Sequence, residues 1–218
     1  MRTARLSSLR RGSAISDHRR LDGWVALGSG LAYVALGAVS GRRAPDWEKA
    51  ALRAANRRGE APALRLPQQL GTPWTLPALA LVGFWTRRPH LAVAGALALP
   101  LEKAAEVGVK KLTRRRRPAQ ADTPVDLHDD APATGESYPS GHAAISACVA
   151  VLVSPYLPAW SWGALAVPVG LTSYTRVHQG AHFPLDSVGG LLLGVGVGTA
   201  LRFAVGTPPQ AQIGPTGG

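Results

Sequence analysis

Between Thr175 and Asp186 the chain reads Thr-Arg-Val-His-Gln-Gly-Ala-His-Phe-Pro-Leu-Asp. This run places Arg176, His182 and Asp186 at fixed spacing ahead of a glycine-rich apolar segment. An arginine guanidinium can hold a phosphate through two parallel hydrogen bonds. A histidine can act as nucleophile or base, and an aspartate can orient its ring. Two further pieces lie upstream. Lys110 precedes Arg117-Pro118, and Pro139-Ser140-Gly141-His142 opens an apolar block. A helix starting at that second piece would point free backbone N–H groups and its positive dipole end at a phosphate. Ser140 would add a hydroxyl or simply cap the helix, Gly141 would let the backbone come close, and His142 would stand ready to protonate a leaving oxygen. Lys110 and Arg117 are two helical turns apart, so one helix face is expected to present both as fixed positive charge. Glu102 and Glu106 continue that face. They read either as supporting partners of the cations or as groups at the membrane interface, because ionisable side chains are costly in lipid.

In order and spacing the three pieces resemble the type 2 phosphatidic acid phosphatase family, whose pattern is K-x6-R-P, P-S-G-H and S-R-x5-H-x3-D. Lys110, Arg117 and Pro118 match the first element, Pro139 to His142 the second, and Arg176, His182 and Asp186 the third. Thr175 replaces the serine and keeps a hydroxyl. The resemblance covers residues 110 to 186. It implies a metal-independent, cofactor-free lipid phosphatase acting through a phosphohistidine. In that scheme His182 attacks, Asp186 orients it and His142 protonates the leaving group. Lys110, Arg117, Ser140, Gly141 and Arg176 cradle the phosphate, with Glu106 behind them. Within the family a polyprenyl diphosphate is the expected substrate. Phosphatidic acid, phosphatidylglycerophosphate and prenyl-linked sugar phosphates are alternatives that the motifs, which read only the shared phosphate, do not separate. Two rivals come from other classes. A lipid-phosphate binding or transport protein would need no nucleophile, and a vanadate-dependent haloperoxidase would be soluble.

The elements that must position these groups are apolar blocks. The 218 residues are 46% hydrophobic and 17% charged, with a net charge of +11. The arginines flank the blocks, so lipid headgroups or a phosphorylated substrate, not nucleic acid, are the expected partners. Blocks at Trp24–Val39 and at about 71–86, 90–109, 143–157, 160–174 and 186–205 predict an all-α membrane bundle of about six spanning helices. None is a clean run of 20 apolar residues, and prolines interrupt them; neighbouring helices can tolerate such breaks. The first block reads as a retained helix or as the core of a cleaved signal. Gly190, Gly194 and Gly198 form a face for close helix packing.

Domain limits follow: a basic disordered arm at 1–20, a phosphatase domain at 21–205 and a disordered tail at 206–218. A helix after Pro45, capped by Asp46, reads as an interfacial or a solvent-exposed segment. His178 and His182 lack the glutamate of a zinc motif, so no metal is expected, and His178 reads as a pocket-lining or a satisfied polar residue. The Leu127-His128-Asp129-Asp130 stretch reads as a solvated acidic loop, and Cys148 as a small buried hydrophobe. A plasma-membrane location with an extracytoplasmic site is expected from the resemblance, since loop charges conflict with the positive-inside bias. A homo-oligomer is compatible with these features.

Overall fold

The computed structural model describes residues 2–56, 59, 61–121 and 123–206. Eight α-helices appear among them: α1 (Arg2–Ser40), α2 (Asp46–Asn56), α3 (Arg65–Gln68), α4 (Thr75–Trp85), α5 (Pro89–Thr113), α6 (Gly141–Val153), α7 (Trp162–His178) and α8 (Pro184–Val205). No strand forms among the described residues; a single antiparallel bridge joins Arg116 to Glu136. Each predicted apolar block is therefore a helix. α5 runs through Pro100 and α7 through Pro168, so both prolines sit inside helices. The basic stretch expected as an irregular arm continues the first apolar helix back to Arg2. The expected C-terminal tail lies, from residue 207 on, outside the described residues.

α8 is the central element, packing along α6, α1 and α5. Its glycines explain how. A Cβ at Gly194 would lie 2.0 Å from the Ala144 carbonyl oxygen, and one at Gly190 would lie 2.3 Å from that of Ser140. Only hydrogen at these positions lets α8 and α6 approach so closely. The same contact brings Ser140 N–H within 2.9 Å of the Asp186 carbonyl oxygen, tying the second motif to the third.

Side-chain contacts divide the bundle into two ends. At one, Arg202 pairs with Asp22 at 3.0 Å, His90 Nδ1 donates to the Val205 carbonyl and Arg88 stacks on Tyr156. At the other, the C-terminal ends of α5 and α7 meet the N-terminal ends of α6 and α8. α1 is tied in through Tyr33, whose hydroxyl donates to Ala105 O and whose carbonyl accepts from the Tyr138 hydroxyl. Large apolar residues cover the outside, among them Leu81, Phe84, Trp85, Leu97, Val107 and Val167. A surface this apolar suits lipid. Two helices, Asp17–Ser40 and Pro184–Val205, are long and apolar enough to cross a membrane, and Thr75–Trp85 and Gly141–Tyr156 are shorter apolar helices.

α2 is neither a free linker nor held by an Asp46 cap. Asp46 is its first helical residue, fully exposed and paired with Lys49, while the Pro45 carbonyl accepts the first N–H bonds. Its strongly amphipathic face buries Glu48, Leu52 and Asn56. Leu52 joins Ala44, Val177 and Phe183 in a small core that covers the active end of α7 and α8.

Candidate active site

The third motif is built by a helix stop and a helix start. α7 ends in a Schellman arrangement: Ala181 N–H donates to Arg176 O at 3.1 Å and Gly180 N–H to Val177 O at 3.0 Å. Gly180 sits at φ +75°, the left-handed conformation this stop requires. The reversal carries His182 back over Arg176, whose carbonyl also accepts the His182 N–H. Pro184 then opens α8, and Asp186 in its first turn accepts the Phe183 N–H at 2.8 Å.

The first motif converges differently from the helical-face expectation. α5 stops at Thr113, with Arg114 in the left-handed region at φ 47°, so Arg117 lies beyond the helix. Beyond that turn the chain runs extended to Arg117, and side chains alternate: Arg114 and Arg116 are exposed, Arg115 and Arg117 buried. Lys110 and Arg117 therefore meet at one cavity because the chain leaves the helix at Arg114, and not through helical periodicity.

A cavity of about 230 Å³ gathers the predicted residues. Lys110, Arg117, Gly141, His142, Arg176 and His182 line it, together with Glu106, Lys103 and Asp130. Four cations face two carboxylates there, so the cavity suits an anion. Glu106 stands in the wall itself and not behind it, accepting from Lys103 and Lys110 at 2.6 Å each. Ser140 is fully buried as the N-cap of α6, its Oγ 3.5 Å from Ala143 N, and it does not line the cavity. Glu102 is buried one turn below Glu106, beside Cys148, and also lies off the cavity. His178 lies off the cavity and is only half satisfied: its Nδ1 donates to Ala55 O and its ring stacks against His128 and Tyr174, but its buried Nε2 has no hydrogen-bond partner among the described residues. Among the described residues no cluster of His, Cys, Asp or Glu has the arrangement of a metal site.

His182 is 4% exposed, with Nε2 toward the cavity at 3.5 Å from Arg117 Nη1. Its Nδ1 lies 3.8 Å from Asp186 Oδ2, beyond hydrogen-bond length. Burial pushes its imidazole down to about 4, against the raising effect of Asp186. The ring is therefore neutral at physiological pH, and a proton on Nδ1, toward Asp186, leaves the Nε2 lone pair facing the cavity.

Asp186 is fixed by groups that motif reasoning missed. Oδ1 accepts from Arg115 Nη1 at 3.0 Å, and Oδ2 accepts from Ser137 Oγ at 2.5 Å. Arg115 also pairs with Glu48 of α2, whose other oxygen accepts the Leu185 N–H at 2.8 Å. Glu48, Arg115 and Asp186 are all fully buried. The signal for Arg115 was an extended run before Pro118, where alternate residues face opposite ways; nothing local marked Glu48.

Residues 90–207 match the family model described as the PAP2 superfamily, more than half of the chain. The chain belongs to that superfamily. It is 32% identical over 119 residues to an undecaprenyl-diphosphatase of Sulfolobus acidocaldarius, an alignment covering 55% of this chain and 57% of that relative. Its fold is similar to the crystal structure of Aquifex aeolicus LpxE, with a TM-score of 0.60 and 26% identity over 69% of this chain and 91% of that one. It is also similar to a transmembrane PAP2-type phosphatidylglycerolphosphate phosphatase from Bacillus subtilis, with a TM-score of 0.65 and 22% identity over 82% and 94% of the two chains. With these PAP2 neighbours, the all-helical bundle with its apolar exterior fits a membrane protein.

Proposed function

We propose that the protein is an integral membrane phosphatase that hydrolyses a lipid phosphate or diphosphate through a phosphohistidine, with a polyprenyl diphosphate as its substrate. The observation that carries this reading is the buried His182, with Nε2 facing a cavity walled by Lys110, Arg117, Arg176 and His142. A binding or transport protein has no use for a buried nucleophile held against a carboxylate.

In the first step His182 Nε2 forms a bond to phosphorus as the bond to the leaving oxygen breaks, and His142 gives that oxygen its proton. Asp186, held by Arg115 and Ser137, stabilises the charge arriving on the ring. Arg117, Arg176 and Lys110 hold the phosphoryl oxygens as charge develops on them. His142 then takes a proton from water, water oxygen bonds to phosphorus, and the His182 nitrogen leaves as neutral imidazole. The undecaprenyl-diphosphatase relative favours a diphosphate substrate; phosphatidic acid, phosphatidylglycerophosphate and prenyl-linked sugar phosphates are the alternatives. Phosphate release by detergent-purified protein across lipid monophosphates and diphosphates, with EDTA present, tests the reading. Turnover is expected on at least one of these without added metal; release that needs a divalent cation would overturn the metal-independent mechanism.

Six helices, α1 and α4 to α8, would cross the plasma membrane, with α2, α3 and the 114–140 segment on one side. With the N-terminus inside, the cavity then opens on the extracytoplasmic face. Thr134 is exposed in that segment. Thr134→Cys in a Cys148→Ser background is expected to react with a membrane-impermeant maleimide in intact cells. Labelling only after permeabilisation would invert the topology.

A further inference from the structure

The acidic stretch expected as a solvated loop is bound into the site. Its turn, closed by Ala131 N–H to His128 O at 3.2 Å, carries Asp129 at φ 52°. Asp129 pairs with Arg65 of the short helix α3 and accepts from Gln179 Nε2 at 3.0 Å. Asp130 turns the other way, into the cavity wall, and its Oδ1 accepts from Arg176 Nη1 and from Gln68 Nε2, each at 2.9 Å. The same Arg176 nitrogen donates to Gln179 Oε1 at 2.9 Å, and its Nε is buried without a hydrogen-bond partner. The guanidinium assigned to the phosphate is thus already engaged by a carboxylate. That carboxylate can be reached by water where Arg176 cannot: the Asp130 side chain is 62% exposed, that of Arg176 only 3%. Burial works against ionisation of Asp130, but the Arg176 charge and the bonds from Arg176 and Gln68 outweigh it, holding its carboxyl below the usual range.

We propose that Asp130 is an internal competitor for Arg176 that selects for a terminal phosphate over the phosphodiester headgroups of surrounding lipid. The inference rests on the phosphate-site reading above. A terminal phosphate carries about 1.5 to 2 negative charges at neutral pH and three acceptor oxygens. A phosphodiester carries one charge, no more than Asp130 itself. Only the terminal phosphate gains enough at Arg176, Arg117 and Lys110 to displace the carboxylate; a diester meets an occupied arginine and an extra negative charge at the mouth.

The test is direct binding of inorganic phosphate and orthovanadate to the full chain in detergent, by calorimetry, for wild type, Asp130→Asn and Asp129→Asn. Asparagine keeps the shape and an acceptor at position 130 while removing the charge. Asp130→Asn is expected to bind both anions about tenfold more tightly, as charge removal at a buried arginine implies. Its activity in mixed micelles should also become more sensitive to phosphatidylglycerol, a phosphodiester, than that of wild type. Asp129→Asn breaks the pairing with Arg65 without touching Arg176, so its phosphate affinity should match wild type. Unchanged or weaker anion binding by Asp130→Asn would overturn the proposal. So would equal tightening in Asp129→Asn, which would mean loop opening and not charge competition. Absence of lipid phosphatase turnover, by contrast, would sink the functional reading while the calorimetry still measures competition at Arg176.

Discussion

Replacing His182 by alanine is expected to lower turnover by on the order of 10^4-fold or more, the scale seen when a covalent nucleophile is removed from a catalytic unit. The residue sits in a loop between two helices, with its backbone held by Arg176 O and its Nδ1 free of any hydrogen bond. Truncation therefore removes only the long 3.5 Å contact to Arg117, which keeps its bond to Ala181 O, and the thermal midpoint in detergent should stay close to wild type. Orthovanadate should still bind, because Lys110, Arg117 and Arg176 remain. A radiolabelled substrate should leave an acid-labile phosphoprotein in wild type and none in the variant. Substantial residual turnover with a normal midpoint would remove His182 from the nucleophile role.

Arg115→Leu is expected to damage both stability and activity. Arg115 is the shared counter-ion of two carboxylates, Glu48 and Asp186, and none of the three is accessible to water. Removing one partner from a buried charge network costs about 3–5 kcal/mol, because the remaining charges stay desolvated. Leucine also loses the cation's packing over the Phe183 ring, 5.3 Å from its centre. The thermal midpoint should fall clearly, and kcat should fall with it as Asp186 loses its anchor, with less change in KM because Arg115 does not line the cavity. Arg115→Lys should recover part of both. Glu48→Gln leaves Asp186 paired, so it should lower stability more than kcat. A normal midpoint and normal kcat in Arg115→Leu would show that the network carries neither load.

Much of the site was legible because its chemistry is local. His182, Pro184 and Asp186 lie within one helix start, and Pro139 to His142 within another, so spacing along the chain is close to spacing in space. Glycines at 190, 194 and 198 repeat with the period of a helix face, and the structure uses that face where α8 meets α6. The apolar blocks translate into helices for the same reason. Lys110 and Arg117 were brought together correctly by motif but for the wrong geometric reason, since periodicity assumes a helix that Arg114 ends.

Residue types and spacing alone thus marked the helical class, the family and most of the residues that the structure gathers around one cavity. Only the tertiary structure decided which groups hold those residues and which carboxylate pairs with Arg176. Four adjacent arginines are chemically alike, and which two turn inward depends on where α5 stops and which way the chain then runs. Glu48 reaches Arg115 from a helix more than sixty positions earlier, and Asp130 reaches Arg176 across a loop whose closure is set by Arg65, Gln68 and Gln179. Pairings of this kind leave no periodic trace, because a charge seeks its partner through space and a chain can bring that partner from any distance along itself.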